Sequence, residues 1–248
     1  MSASIKVSIL IAIYNSHKVF IRQIRHFKKM RLPDDVEIIF MDDGSNPPLK
    51  CNSGLKNFNI YPTQEKRAWT QGLARNQGAK IAKGEFLLFT DVDHILTREA
   101  IMAVREFKGD KMVFRRKFGI FDRSGNILSD VATIEKFGVN PKYRRRNYYA
   151  GVHGNTYAIR KTVFNALGCY NPAYCESEFH VGGCYMSEER NFNIRWQNRV
   201  ERKKSASAAG GPDIYVYPIG RFHRTGDENP GGLFHNLKRE QVAQPCKT

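Results

Sequence analysis

Apolar positions along the chain fall into short runs separated by polar clusters. Residues 5–13 (IKVSILIAI) are rich in Ile and Val, which predicts a strand. Tyr14-Asn15-Ser16 interrupts that run, and Ser16 is placed to cap a helix. From His17 to Arg31, Phe20, Ile24 and Phe27 recur at helical spacing, and Pro33 ends the pattern. A second strand, VEIIFM (36–41), runs into Asp42-Asp43-Gly44-Ser45, where Gly44 and Pro47-Pro48 mark a loop. After a weak strand at 58–61, residues 69–82 predict a helix with Ala74, Gly78 and Ala82 on one face and Gly84 as its stop. Phe86–Phe89 then reads as a strand buried on both faces that ends in Asp91-Val92-Asp93-His94. This alternation predicts an α/β fold with a mostly parallel sheet.

The pattern loosens beyond residue 100. It predicts a helix over Thr97–Phe107, a strand near Lys111–Lys117 and a hairpin turn at Arg123–Asn126. A strand over Gly151–Ile159, a short helix over Lys161–Leu167 and a strand over Ile214–Pro218 follow. SASAAGGP (205–212) reads as a flexible loop, and 225–248 as a polar tail.

Composition narrows the class. With 248 residues, 41% hydrophobic and 26% charged, the chain has material for a core and is not disordered. No apolar run is long enough to cross a bilayer, and MSASIKVSILIAIYN lacks a small-residue cleavage site, so a soluble cytoplasmic protein is expected. The five cysteines include a cluster with a histidine, Cys169, Cys175, His180 and Cys184. No C-x2-C knuckle accompanies it, which favours reduced thiols over zinc or disulfides.

Charge changes the picture more. The net charge is +16, and basic residues cluster at Arg115-Arg116-Lys117, at Lys142 with Arg144, Arg145 and Arg146, and at Arg199, Arg202, Lys203 and Lys204. Such a field favours a polyanionic partner: nucleic acid, an anionic glycan or a lipid headgroup surface.

Neither G-x-x-x-x-G-K-[ST] nor G-x-G-x-x-G occurs, so a nucleotide would be held without either glycine fingerprint. Two acidic loop starts are available instead, Asp42-Asp43 and Asp91-Val92-Asp93, and a parallel sheet brings both to one carboxyl edge. One carboxylate there can hydrogen-bond a base or ribose while another anchors Mg²⁺ or Mn²⁺ on a diphosphate.

Several segments in order resemble family-2 glycosyltransferases of the GT-A fold. They are YN after the first strand, DDGS after the second, GLARNQGAKIAKGEFLLFTDVD, GNTYAIRKTVFNALGCYNPAY, SEERNFNIR and IYVYPIGRFHR, spanning about residues 5–224. The resemblance implies a nucleotide-sugar-binding half over 1–96, an acceptor and catalytic-base half of the same domain over 97–224, and a closing tail over 225–248. It implies that Tyr14, Asn15, Asp42, Asp43, Arg75 and Asp91 hold the donor, a UDP-sugar. Asp93 and His223 would bind Mn²⁺ or Mg²⁺. Glu189, or its neighbour Glu188, would be the general base of an inverting transfer. The chain departs from the family in carrying Glu-Glu where Glu-Asp is usual, and in an insertion-like CESEFHVGGCYM expected to recognise acceptor.

The acceptor is left to the charge. Arg144, Arg145, Arg146, Lys203 and Lys204 would meet a polyanion. One such acceptor is an anionic glycan or cell-envelope precursor, approached by a protein peripheral at the membrane face. The other is hydroxymethylated DNA of the phage type, modified in a host cytoplasm. A non-catalytic binding module on the same fold is the rival class.

Overall fold

In a computed structural model, the described residues are 4–63, 71–139, 143, 147–174, 188–202 and 208–218, with the backbone alone of 179–181 and 184–186. The chain runs β1 (Val7–Ile13), α1 (His17–Met30), β2 (Val36–Asp42), β3 (Phe58–Pro62), α2 (Gln71–Ile81), β4 (Phe86–Asp91), β5 (His94–Ile95) and α3 (Arg98–Glu106). It continues with β6 (Lys111–Phe118), β7 (Ile120–Phe121), β8 (Ile127–Leu128), α4 (Val131–Phe137), β9 (Tyr149–Arg160) and α5 (Lys161–Ala166). The last elements are β10 (Phe179–Val181), β11 (Cys184–Met186), α6 (Glu188–Arg202), β12 (Ala208–Gly210) and β13 (Ile214–Val216).

One sheet organises the molecule, in the order β3-β2-β1-β4-β9-β6-β13-β5, with β12 pairing β6. The first four strands are parallel, as the alternation of strands and helices requires. β9 enters antiparallel between β4 and β6, so the sheet, mostly parallel as expected, is a mixed one. β1, β2 and nearly all of β4 are buried, which explains their unbroken apolar runs. α1 and α3 cover one face of the sheet and α2, α5 and α6 the other, each face having its own apolar cluster.

Local chemistry departs from the sequence reading at three points. Ser16 stands at the N-cap of α1 but gives it no side-chain bond; its hydroxyl donates to the Tyr14 carbonyl at 2.8 Å and shapes the preceding turn. Gly84 is not a helix stop, since α2 ends at Ile81. A side chain at Gly84 would come within 2.6 Å of the Ser8 backbone nitrogen, so the glycine permits close approach to β1. Ala208–Gly210 of the predicted loop pairs in parallel with the start of β6, a backbone pairing that needs no apolar pattern. By contrast Gly78 lies on Met41 and Leu10, as the small face of α2 predicts. Gly125, at φ +80°, makes the predicted turn between β7 and β8.

His26 on α1 joins three elements from a buried position. Its ring nitrogens face the carbonyl oxygens of Leu96 at 2.8 Å and Gly125 at 3.1 Å. Burial holds its pKa below the ordinary 6.5, although both carbonyls favour the charged ring. The unfolded chain therefore takes a proton near 6.5 that the folded chain refuses until lower pH, and stability is lost as pH falls through that window. Thermal melts between neutral pH and about pH 5 should show this decline, and His26→Gln should make it less steep, the remainder belonging to His94 and His153, whose pKa values burial also lowers.

Candidate functional site

The carboxyl ends of the parallel strands meet at one edge. Ile13 pairs with Asp42 and Ala12 with Asp91, so the two acidic loop starts flank the end of β1. Asp42 is buried, and its carboxylate accepts from the backbone nitrogens of Ser45 at 3.0 Å and Leu49 at 2.8 Å. It thereby fixes the loop after β2. Asp43, also buried, accepts from the Thr63 hydroxyl at 2.8 Å. Asn15, at φ +47°, ties the β1–α1 turn to that loop by donating its backbone nitrogen to Ser45 Oγ (2.9 Å) and accepting from the Asn46 nitrogen (2.7 Å). Tyr14, half-buried, precedes it in the same turn.

Arg75 and Asp91 form the centre. Arg75 is wholly buried on α2, with Nη2 donating to Asp91 Oδ1 at 2.5 Å and Nη1 to Asn155 Oδ1 at 2.8 Å. Gln71 donates to the same Asp91 oxygen at 2.7 Å. Burial opposes the charge on Arg75, but Tyr170, Asp91 and Glu188 override it and hold the guanidinium above its ordinary value. The other Asp91 oxygen, Oδ2, faces His153 Nδ1 at 3.6 Å and His94 Nδ1 at 4.0 Å.

β9 supplies the groups that the helices do not. Val113 of β6 pairs with Tyr157 and Arg115 with Val152, so His153, Gly154, Asn155 and Thr156 oppose Phe114 alone. Such a bulge re-aims its side chains away from simple alternation. His153 reaches Asp91, Asn155 reaches Arg75, and Thr156 meets His94. Gly154 lies under Glu189 of α6: a Cβ there would be 1.7 Å from Glu189 Oε1. Only a residue without a side chain admits the carboxylate at that point. Glu188, the first residue of α6, is buried, and its charge bears on Arg75.

His94 is at the buried end of this group. Arg116 donates to its Nε2 at 2.9 Å. Arginine only donates, so that nitrogen carries a lone pair and the neutral ring holds its proton on Nδ1, toward Thr156. Burial pushes the His94 pKa well down; Asp91 resists this and Arg116 adds to it. Ligand atoms of Asp91, His94 and His153 lie within 4.8 Å of one another, a spacing that could hold a metal ion. The tautomer removes His94 from that set, because a protonated Nδ1 offers no lone pair. The acids of the Asp91-Val92-Asp93 turn supply hard oxygens of the kind that Mn²⁺ and Mg²⁺ take. Arg75 and Gln71 both bind Oδ1 of Asp91, and Oδ2 faces His153, so this donor set fits such an ion. Asp93 is half-buried in the turn, its carbonyl accepting from the Tyr217 nitrogen at 2.8 Å.

The structure thus gathers Arg75, Asp91, Glu188 and Glu189 about β9 and aligns Tyr14, Asn15, Asp42 and Asp43 along the adjoining edge. His223, Arg144, Arg145, Arg146, Lys203 and Lys204 lie outside the described residues, as do the side chains of Cys175, His180 and Cys184; Cys169 is a free thiol. The first basic run divides. Arg116 turns inward to His94, whereas Arg115 and Lys117 pair with Asp213 at 3.2 and 2.9 Å. His153, Asn155, Thr156, Gln71 and Arg116 were not singled out as site residues from sequence, and His94 had no role. The sequence signal for His153, Asn155 and Thr156 was the stretch HGNT inside a predicted strand.

Known proteins agree with this architecture. GlyG of Streptococcus pneumoniae serotype 4, a glycosyltransferase, is 29% identical over 217 residues, covering 81% of this chain and 72% of that protein. Residues 1–349 of S. aureus TarS in complex with UDP superpose with a TM-score of 0.53 at 16% identity, over 87% of this chain and 61% of that one. The mannosyltransferase PcManGT from Pyrobaculum calidifontis, in complex with GDP-Man and Mn²⁺, gives 0.51 at 14% identity, over 90% and 59%. The chain therefore spans about three-fifths of each of these solved structures. At such identities the likeness establishes the fold, which is GT-A. A profile of glycosyl transferase family 2 matches residues 8–160, from the second residue of β1 to the last of β9, and the chain belongs to that family.

Proposed function

We propose that the chain transfers a sugar, with inversion, from a UDP-sugar to a hydroxyl of an anionic glycan or cell-envelope precursor. One observation carries this reading. The β9 bulge joins a donor-side acid, Asp91 beside His153, to a candidate base, Glu189 over Gly154. In the proposed reaction Glu189 accepts the proton of the acceptor hydroxyl while that oxygen attacks the anomeric carbon. The bond from that carbon to the diphosphate oxygen breaks, and the electron pair leaves with the nucleotide. Tyr14, Asn15 and Asp43 would take the nucleobase and ribose, with Asp42 bracing their loop. Asp93, with Asp91 and His223, would hold Mn²⁺ or Mg²⁺, which when bound offsets charge on the departing diphosphate. Arg75 holds Asp91 in place.

The anionic acceptor rests on the net charge of +16 and on the basic runs Arg144–Arg146 and Lys203–Lys204. The same charge fits hydroxymethylated DNA as the alternative acceptor. A steep fall in duplex affinity with salt would favour DNA, and a flat response would remove it. No helix among the described residues is long and apolar enough to cross a membrane, so contact with an envelope precursor would be peripheral in this region.

The direct test is hydrolysis of UDP-, GDP- and TDP-sugars with Mn²⁺. Turnover of a UDP-sugar that is lost in Asp93→Ala is expected. A panel without turnover, from folded protein with metal present, would leave only the non-catalytic binding module.

A further inference from the structure

Lys111 begins β6 and is nearly inaccessible, 4% exposed, on the face of the sheet that α6 covers. Its ammonium nitrogen lies 4.6 Å from the ring centre of Tyr157 on β9, and 5.8 and 5.2 Å from those of Phe192 and Trp196 on α6. It donates to Asn193 Oδ1 at 3.0 Å. Tyr157 and Phe192 stack beside it, their centres 5.7 Å apart and their planes 22° from parallel. Phe192, Asn193 and Trp196 follow Glu189 at three, four and seven residues, so all four share one helical face. A desolvated ammonium among aromatic faces is held by cation–π attraction, whose strength grows as water is excluded.

We propose that Lys111 is a positioning residue of the transfer reaction: its ammonium docks the face of α6 that carries Glu189 and so sets that carboxylate over Gly154. The inference rests on Glu189 being the base. A neutral apolar side chain could fill the same space, but it would offer Asn193 no donor and the three rings no cation. The first turn of α6 would then be free to rotate away from Gly154. Tyr157 extends the connection, since its hydroxyl meets that of Tyr170 at 2.8 Å, and Tyr170 lies 3.5 Å from Arg75 Nη1. Burial lowers the Lys111 pKa to about 8, with Glu189 resisting. Among the described residues the titratable groups facing it are Glu189 from α6 and Tyr157 from β9, whose phenol burial keeps protonated.

The test uses the full chain and whichever of UDP-glucose and UDP-N-acetylglucosamine it hydrolyses with Mn²⁺. Lys111→Met should lower kcat by about 10- to 100-fold, the scale of a roughly 1 Å misplacement, and leave donor KM within about twofold. Lys111→Arg, which keeps the cation, should recover most of that rate. Placed on Glu189→Gln, Lys111→Met should cost nothing further. Folded Lys111→Met with wild-type kcat would overturn the proposal, as would an equal loss in the Glu189→Gln background. Glu189→Gln with undiminished kcat would instead overturn the base assignment. A second arm needs no methionine variant: wild-type rate should fall as pH rises through about 8, while Lys111→Arg stays level. Parallel profiles for the two proteins would count against the ammonium.

Discussion

Arg75→Met is expected to remove turnover and to cost about 3–5 kcal/mol of stability, the range for breaking a buried ion pair. The guanidinium is fully buried and the Asp91 side chain only 16% exposed, so removing one partner strands the other with little water to solvate it. Asn155 and Gln71 hydrogen-bond the pair and would lose their geometry with it. Stability and activity should separate in the double variant Arg75→Met with Asp91→Leu. Replacing both charges by apolar groups removes the stranded ion and should restore much of the melting temperature. Turnover should not return, because the proposed donor-side carboxylate is gone. A double variant that regained activity would show the pair to be scaffolding alone. Chemical denaturation with an unchanged m value is the appropriate stability measure.

Glu189→Gln should lower kcat by about 10²- to 10⁴-fold with donor affinity preserved, the usual contribution of a positioned general base. Gln keeps the shape over Gly154 but cannot hold the proton of the acceptor hydroxyl. Gly154→Ala approaches the same defect from the strand. The new methyl would occupy the position of the Glu189 carboxylate, at 1.7 Å from Oε1, so the side chain or the first turn of α6 must move. A loss of about 10²-fold is expected from such a displacement, again with donor binding retained. Donor titrations by calorimetry beside kcat measurements separate the two quantities. Weakened donor binding in Glu189→Gln, without a change in rate, would assign the residue to the substrate pocket instead.

How much of this was legible in the chain varies with the interaction that holds each part. β1, β2, β4 and α1 announced themselves because burial on both faces, or on one helical stripe, dictates residue type directly, whereas the half-exposed β3 left only a weak pattern. Arg75, Asp91 and Glu189 came from the resemblance of ordered motifs, since no spacing of three residues so far apart states that they meet. His94 could not be assigned, because its tautomer is imposed by Arg116 and Thr156, 22 and 62 residues away. Arg116 itself was hidden in a basic run. Alternation along β6 sends Arg115 and Lys117 outward to Asp213 and Arg116 inward, a division that charge counting cannot make.

The sequence by itself determined the α/β order, the carboxyl edge where Asp42 and Asp91 emerge, and the family. The first two follow from local apolar periodicity and from the rule that parallel strands end together, the family from the resemblance of its ordered motifs. Tertiary structure alone decided the antiparallel entry of β9, its bulge, and the docking of α6 on Lys111. Each depends on backbone pairing or on aromatic rings brought together from distant segments, neither of which leaves a periodic trace. His153, Gly154 and Asn155 look like ordinary small or polar strand residues until β9 has more backbone than β6 can pair with. The surplus, pushed out between β4 and β6, joins the Asp91 end of the site to Glu189.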